Sequence, residues 1–192
     1  MTIRRALRES VELRTRMLQD EIFLKSAEWA MELLVERLAY RSKFFIAGNG
    51  GSAADAQHFA AELVGRYLKD RPPYPALALT TDTSMLTAWS NDVSFNTVFS
   101  RQIQAFGQPG DVFVGISTSG NSENIVQAVI EAQNLNMTTI CLLGCDGGRL
   151  AKLCHRAVIV PSLSTPRIQE CHIMLIHAWC EQIEEALTQR SL

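Results

Sequence analysis

The run Phe44-Phe45-Ile46-Ala47 leads through Gly48-Asn49-Gly50-Gly51-Ser52 into Ala53-Ala54-Asp55-Ala56-Gln57-His58-Phe59-Ala60-Ala61-Glu62. Four consecutive apolar residues read as a strand covered on both faces, as in a parallel sheet. A glycine-rich turn and a helical stretch follow, the opening of a βαβ unit. The same alternation recurs downstream. Apolar runs lie at 76–79, 112–116, 138–143 and 157–160, with helical stretches near 53–68, 83–90, 97–106, 122–135, 147–153 and 166–188. Repeated strand–helix units predict an α/β fold: a three-layer, doubly wound parallel sheet of about five strands. Ligands of such sheets sit at the carboxyl ends of the strands, which directs attention to the strand-to-helix turns.

Upstream of the first strand, residues 2–20 and 22–41 read as two helices, an N-terminal helical extension. In the second, Leu24, Ala27, Met31, Leu34, Val35 and Leu38 share one stripe. Trp29, Leu33 and Tyr40 fall nearly opposite. A helix apolar on two faces is packed on two sides, by a partner subunit or by the first helix. The organisation expected is one domain over 1–192, with oligomer-forming helices in 1–41 and an α/β core in 42–192.

Composition sets the outer limits. A chain of 192 residues buries about 70% of its unfolded surface in one core. Apolar residues at 47% and charged residues at 20% exclude disordered, collagen-like and disulfide-scaffold classes. A net charge of -2 argues against a nucleic-acid-binding surface over the whole protein. No apolar run reaches the roughly 18–20 residues of a membrane helix. MTIRRALRES is not followed by the apolar segment of an export signal. The five cysteines include no CxxC pair, so reduced thiols in a cytoplasm are expected.

The turn at 48–52 is neither GxGxxG nor a Walker loop, since it lacks the third glycine and any GK[ST]. It offers backbone N–H groups for close approach, with Asn49 and Ser52 as polar side chains. A second turn, Ser117-Thr118-Ser119-Gly120-Asn121-Ser122, opens a later helix. Its hydroxyls and the helix N-terminus suit a phosphate, although one of them would serve as an ordinary cap. With no lysine in either loop, the expected anion is a sugar monophosphate. His58 and Glu62, at i and i+4, share a helix face two to three turns below the first loop. In the last helix Gln169 falls within the apolar stripe Ile173, Ile176, Cys180, Ile183 and Leu187, where it needs partners, and His177 flanks it. His172 reads as satisfied or exposed, and His155 as structural or solvated. Two histidines, a glutamate and a glutamine could form one divalent-metal site, for which zinc is suited, or one acid–base pair. Asn91-Asp92 could bind sugar hydroxyls or make a turn.

Taken together, GNGGSAADAQHFAAELVGRY (48–67), SND (90–92), GDVFVGISTSGNSENI (110–125) and RIQECHIMLIH (167–177) closely resemble the sedoheptulose-7-phosphate isomerases, or phosphoheptose isomerases, of the sugar-isomerase (SIS) domain family. The resemblance covers nearly the whole chain. It implies conversion of D-sedoheptulose 7-phosphate to D-glycero-D-manno-heptose 7-phosphate through an enediol, the first step of heptose-nucleotide synthesis for lipopolysaccharide. It also implies a cytoplasmic homotetramer with active sites near subunit interfaces. By position it implies Asn49, Gly50, Gly51, Asn91, Asp92, Ser117, Thr118, Ser119 and Ser122 as substrate-binding, with Ser52 beside them in the same turn. His58, Glu62, Gln169 and His177 become zinc ligands, Gln169 also touching substrate. Glu62 and His177 become the acid–base pair, with Arg66 one turn beyond Glu62 to tune it or steer the anion.

The main alternative is a non-enzymatic SIS protein that binds the replication initiator DnaA. Glu62 and the full STSGNS turn argue against it, because binding-type relatives do not keep them. SIS enzymes with amidotransferase or paired regulatory domains do not fit this length. A DNA-binding regulator would need a helix-turn-helix, and the N-terminal helices are too long and two-faced for one.

Overall fold

The computed structural model describes residues 2–188. Two helices lead, α1 (Ile3–Gln19) and α2 (Glu21–Ala39), followed by β1 (Phe44–Gly48) and α3 (Gly51–Val64). Next come β2 (Ala76–Ala78), α4 (Thr83–Asp92), a 3-10 turn (Phe95–Thr97), α5 (Val98–Phe106) and β3 (Val112–Ser117). The chain continues through α6 (Glu123–Asn134), β4 (Thr138–Leu143), α7 (Leu150–Leu153), β5 (Arg156–Ile159) and α8 (Thr165–Thr188). All five strands pair in parallel, in the order β2-β1-β3-β4-β5. The fold is the doubly wound α/β parallel sheet with N-terminal helices that the sequence predicts.

Side-chain alternation along the strands makes the three layers. Phe44 and Ile46 of β1 join Val112, Val114 and Ile116, and then Ile140, Leu142 and Val158, under residues of α2, α3 and α8. Phe45 and Ala47 point the other way, to Phe113, Cys141 and Leu143 beneath α5 and α6. Each fully buried Phe or Ile contributes about 1.5–3 kcal/mol relative to exposure. Both faces being covered is why the central strands β1, β3 and β4 are buried almost throughout.

Two helices end short of their sequence limits. The stretch near 53–68 stops at Val64. Gly65 follows, and the guanidinium of Arg71 takes the Glu62 and Leu63 carbonyls at 2.7 and 2.9 Å, ending the helix. The stretch near 147–153 shrinks to Leu150–Leu153, because Gly147 and Gly148 sit at φ +81° and +51°, outside helical space. Asn91 and Asp92 belong to the last turn of α4 rather than to a turn between elements.

This strand order has one topological switch point, between β1 and β3. The crossovers leave in opposite directions there and open a crevice at the carboxyl ends. Both turns singled out in the sequence lie on it. α1 packs on α8 and α2, and does not cover the second apolar face of α2, since Trp29 and Tyr40 remain exposed.

Candidate active site

The two turns are joined across the switch point by reciprocal amide hydrogen bonds. Asn49 Nδ2 donates to Asn124 Oδ1 at 2.9 Å, and Asn124 Nδ2 donates to Asn49 Oδ1 at 2.8 Å. Asn124 is buried, and the sequence reading did not single it out. Its position in the first turn of a helix after a hydroxyl-rich loop was the available signal. Ser122 is the N-cap of α6, yet its hydroxyl makes no cap bond and instead meets Ser117 Oγ at 2.9 Å. The hydroxyl is therefore not spent on capping, which favours the anion-binding alternative. Ser119 Oγ accepts from the Asn121 N–H, and Ser119 is exposed. Thr118 is half-buried beside it. Gly50 at φ +56° precedes α3 with no side-chain cap. Ser52 is buried and its N–H donates to the Asn49 carbonyl, so its side chain lies beneath the loop rather than on it.

α3 and α8 run side by side from this turn. At their start the Gln169 amide rests on Gly51, where an added Cβ would lie 2.5 Å from Gln169 Nε2. Gln169 is only half-buried there, so its amide does not carry the full cost of burial that its place in the apolar stripe suggests. Farther along, His58 Nε2 meets Glu62 Oε1 at 3.0 Å and His177 Nε2 at 3.1 Å. The donor atoms of these three residues all lie within 4.8 Å of one another. Two imidazole nitrogens at that distance require a proton or a cation between their lone pairs. A tetrahedral zinc with bonds of about 2.0–2.2 Å needs donors roughly 3.3 Å apart, so this set fits zinc. The Gln169 amide, expected beside these three, is not brought to them: it rests on Gly51, and Gln169 precedes His177 by about 12 Å of helix axis.

Tyr67 stacks on His177, with centroids 5.7 Å apart and 21° between planes. Asp55 shares the α3 stripe of Gly51, His58 and Glu62. Burial pushes its carboxyl up to about 6, partly offset by attraction to His58, and its Oδ2 has no partner. Neither Tyr67 nor Asp55 was singled out in the sequence, although spacing placed Asp55 on the His58 face. Asn91 and Asp92 are exposed at the end of α4, where Asn91 Nδ2 donates to Asp92 Oδ1 at 2.8 Å. Within one chain α4 packs on the 3-10 turn and α5 rather than on α3 or α8. Arg66 is exposed just past α3. His172 is fully buried, its Nε2–H donating to the Leu143 carbonyl at 2.9 Å, which removes the exposed alternative. His155 is structural: its Nδ1 accepts from the Thr139 N–H at 3.0 Å. All five cysteines are free thiols, outside this cluster.

Comparison with known proteins agrees with this geometry. Residues 9–144 match the SIS domain family model. The phosphoheptose isomerase of Sulfurimonas denitrificans is 51% identical over 96% of this chain and 95% of its own. That of Aquifex aeolicus is 48% identical over 98% of both chains. Among solved structures, the phosphoheptose isomerase of Neisseria gonorrhoeae superposes with a TM-score of 0.89 at 45% identity, covering 95% of this chain and 97% of that one. On the fold, the two loops and these matches, the chain belongs to the SIS-domain proteins and, within them, to the phosphoheptose isomerase family.

Proposed function

We propose that the protein is an aldose–ketose isomerase converting D-sedoheptulose 7-phosphate to D-glycero-D-manno-heptose 7-phosphate. The observation that carries this reading is the meeting of Glu62, His58 and His177 between α3 and α8, the helix pair that starts beside the glycine-lined turn of the switch point. The near-full-length identity to phosphoheptose isomerases supports it. Glu62 and the complete Ser117–Ser122 turn are both present, which leaves the initiator-binding alternative without support.

Ser117, Thr118, Ser119 and Ser122 hold the phosphate, and Asn49, Gly50 and Gly51 line the sugar chain beside Ser52. Gln169, on Gly51, reaches the same part of the substrate. Asn91 and Asp92 take sugar hydroxyls. Glu62 and His177 form the acid–base pair. One of them removes a proton from C1 of the ketose while the other protonates the C2 oxygen, giving the enediol. The carbon-bound proton then returns to C2 as the C1 hydroxyl loses its own, leaving the aldehyde. His58, Glu62 and His177 would be the zinc ligands; the resemblance implies Gln169 as a fourth, which would have to turn its amide away from Gly51 to reach them. Zinc bound there would polarise the two oxygens that exchange protons. The resemblance further supports a cytoplasmic homotetramer acting first in heptose-nucleotide synthesis for lipopolysaccharide.

Conversion of sedoheptulose 7-phosphate, followed by NMR on the purified protein, tests the activity. Chelation should stop turnover and zinc should restore it. Glu62→Gln should keep the fold and lower turnover by roughly 10²–10⁴-fold. Absence of conversion in every metal state overturns the isomerase, and wild-type turnover in Glu62→Gln removes that residue from the acid–base pair.

A further inference from the structure

Glu184 of α8 is the most heavily bonded buried carboxylate among the described residues, and the chemistry above does not use it. Its side chain is 1% exposed. A buried carboxylate persists only where donors surround it. Here the N–H groups of Tyr67, Leu68 and Lys69 donate to it at 2.8, 2.9 and 2.8 Å, and Arg71 Nε at 2.9 Å. Burial alone would raise its pKa, but the three amides and Arg71 outweigh it and hold the carboxyl below its ordinary range.

The partners of this clasp are what give it meaning. Arg71, itself buried, directs its other nitrogens to the carbonyls of Glu62 and Leu63. The last carbonyls of a helix have no intrahelical partner, so Arg71 closes α3 at the residue whose carboxylate meets His58. At the other end of the clasp stands the N–H of Tyr67, whose ring stacks on His177. Glu184 lies seven residues past His177 on α8, two turns along the same face. One ionic knot thus joins α8 to the backbone of Glu62 and to the ring packed on His177.

We propose that Glu184 and Arg71 are positioning residues for the reaction centre, setting the approach of Glu62 to His177 through the Glu62 carbonyl and the Tyr67 ring. The proposal rests on the reading of Glu62, His58 and His177 as the zinc-holding acid–base cluster. Partners that orient metal ligands alter metal affinity or activity by about 10–100-fold when removed.

The test uses full-length Glu184→Gln and Arg71→Lys. Zinc affinity is measured by competition with a chelating dye, kcat and KM with sedoheptulose 7-phosphate, and the thermal melt reports folding. The expected result is a cooperative melt, zinc binding weakened about 10-fold or more, and a fall in kcat with KM little changed. A fixture that only stabilises the loop would lower the melting temperature and leave zinc affinity and kcat of the folded protein as in wild type. That result overturns the proposal. Should neither variant fold, Tyr67→Leu carries the test from outside the ion pair, and unchanged zinc affinity and kcat there overturn it equally. Failure of wild type to isomerise the ketose phosphate or bind zinc would instead overturn the functional reading.

Discussion

His172 shows how one side chain ties acid stability to the packing of α8 on β4. Burial lowers its pKa to about 4, a shift its hydrogen bond to the Leu143 carbonyl only partly opposes. Its Nδ1 has no partner. An unfolded histidine takes up a proton near 6.5, whereas the folded one stays neutral down to about 4. Its contribution to stability is therefore complete above pH 6.5 and is lost as pH falls from 6.5 towards 4. The loss amounts to about 3 kcal/mol over the window. Urea unfolding of His172→Gln should show a stability slope near pH 5 shallower than wild type by about 1.4 kcal/mol per pH unit. An unchanged slope would assign the acid sensitivity to other groups. The Gly51–Gln169 contact belongs to this scale too. The apolar stripe showed in sequence that Gln169 needed partners, and helical periodicity alone could not name Gly51 as its seat.

At the scale of elements, the strand-to-helix turns depend on glycine where backbones come close. Gly120 has φ +66°, and an added Cβ would lie 2.0 Å from the Gly147 carbonyl oxygen. Gly110 has φ +88° but faces open space. Gly120→Ala should therefore cost about 2 kcal/mol or more, from left-handed strain plus overlap. Gly110→Ala carries the backbone strain alone, about 1–2 kcal/mol. Denaturant unfolding compares them, and equal losses would show that the Gly147 contact relaxes freely. Because Gly120 sits in the hydroxyl-rich turn, KM for the sugar phosphate should rise more in Gly120→Ala than kcat falls. The five strands and both turns were legible because period and glycine placement are local. The end of α3 was not, because the Arg71 side chain that stops it belongs to a loop beyond the helix.

The whole molecule presents an apolar surface that one chain leaves open. Ile3, Leu7, Val11 and Leu18 of α1 are exposed, as are Ile22 and Trp29 of α2 and Tyr40 at its C-terminal cap. The Arg156 guanidinium covers the Trp29 ring only in part, at 3.2 Å from its centroid. Exposed apolar side chains in such a stripe are candidates for an interface, and the assembly proposed for this chain would cover them with further copies of itself. Leu7→Asp with Val11→Asp should lower the particle mass measured by light scattering while circular dichroism retains the helices. A particle mass equal to wild type would remove this face from any self-association.

Hydrophobic period, glycine punctuation and the spacing of His58 and Glu62 by themselves determined the parallel sheet, the two ligand-facing turns and one helix face bearing metal-type donors. These are properties of residues within a turn or two of each other, so short-range chemistry specifies them. The tertiary structure alone decided that His177 meets His58 across 119 residues of chain, that Asn49 pairs with Asn124, and that Glu184 closes on Arg71. Those contacts depend on the register of α8 against α3 and on strand order, which packing of the whole core sets and no local pattern records.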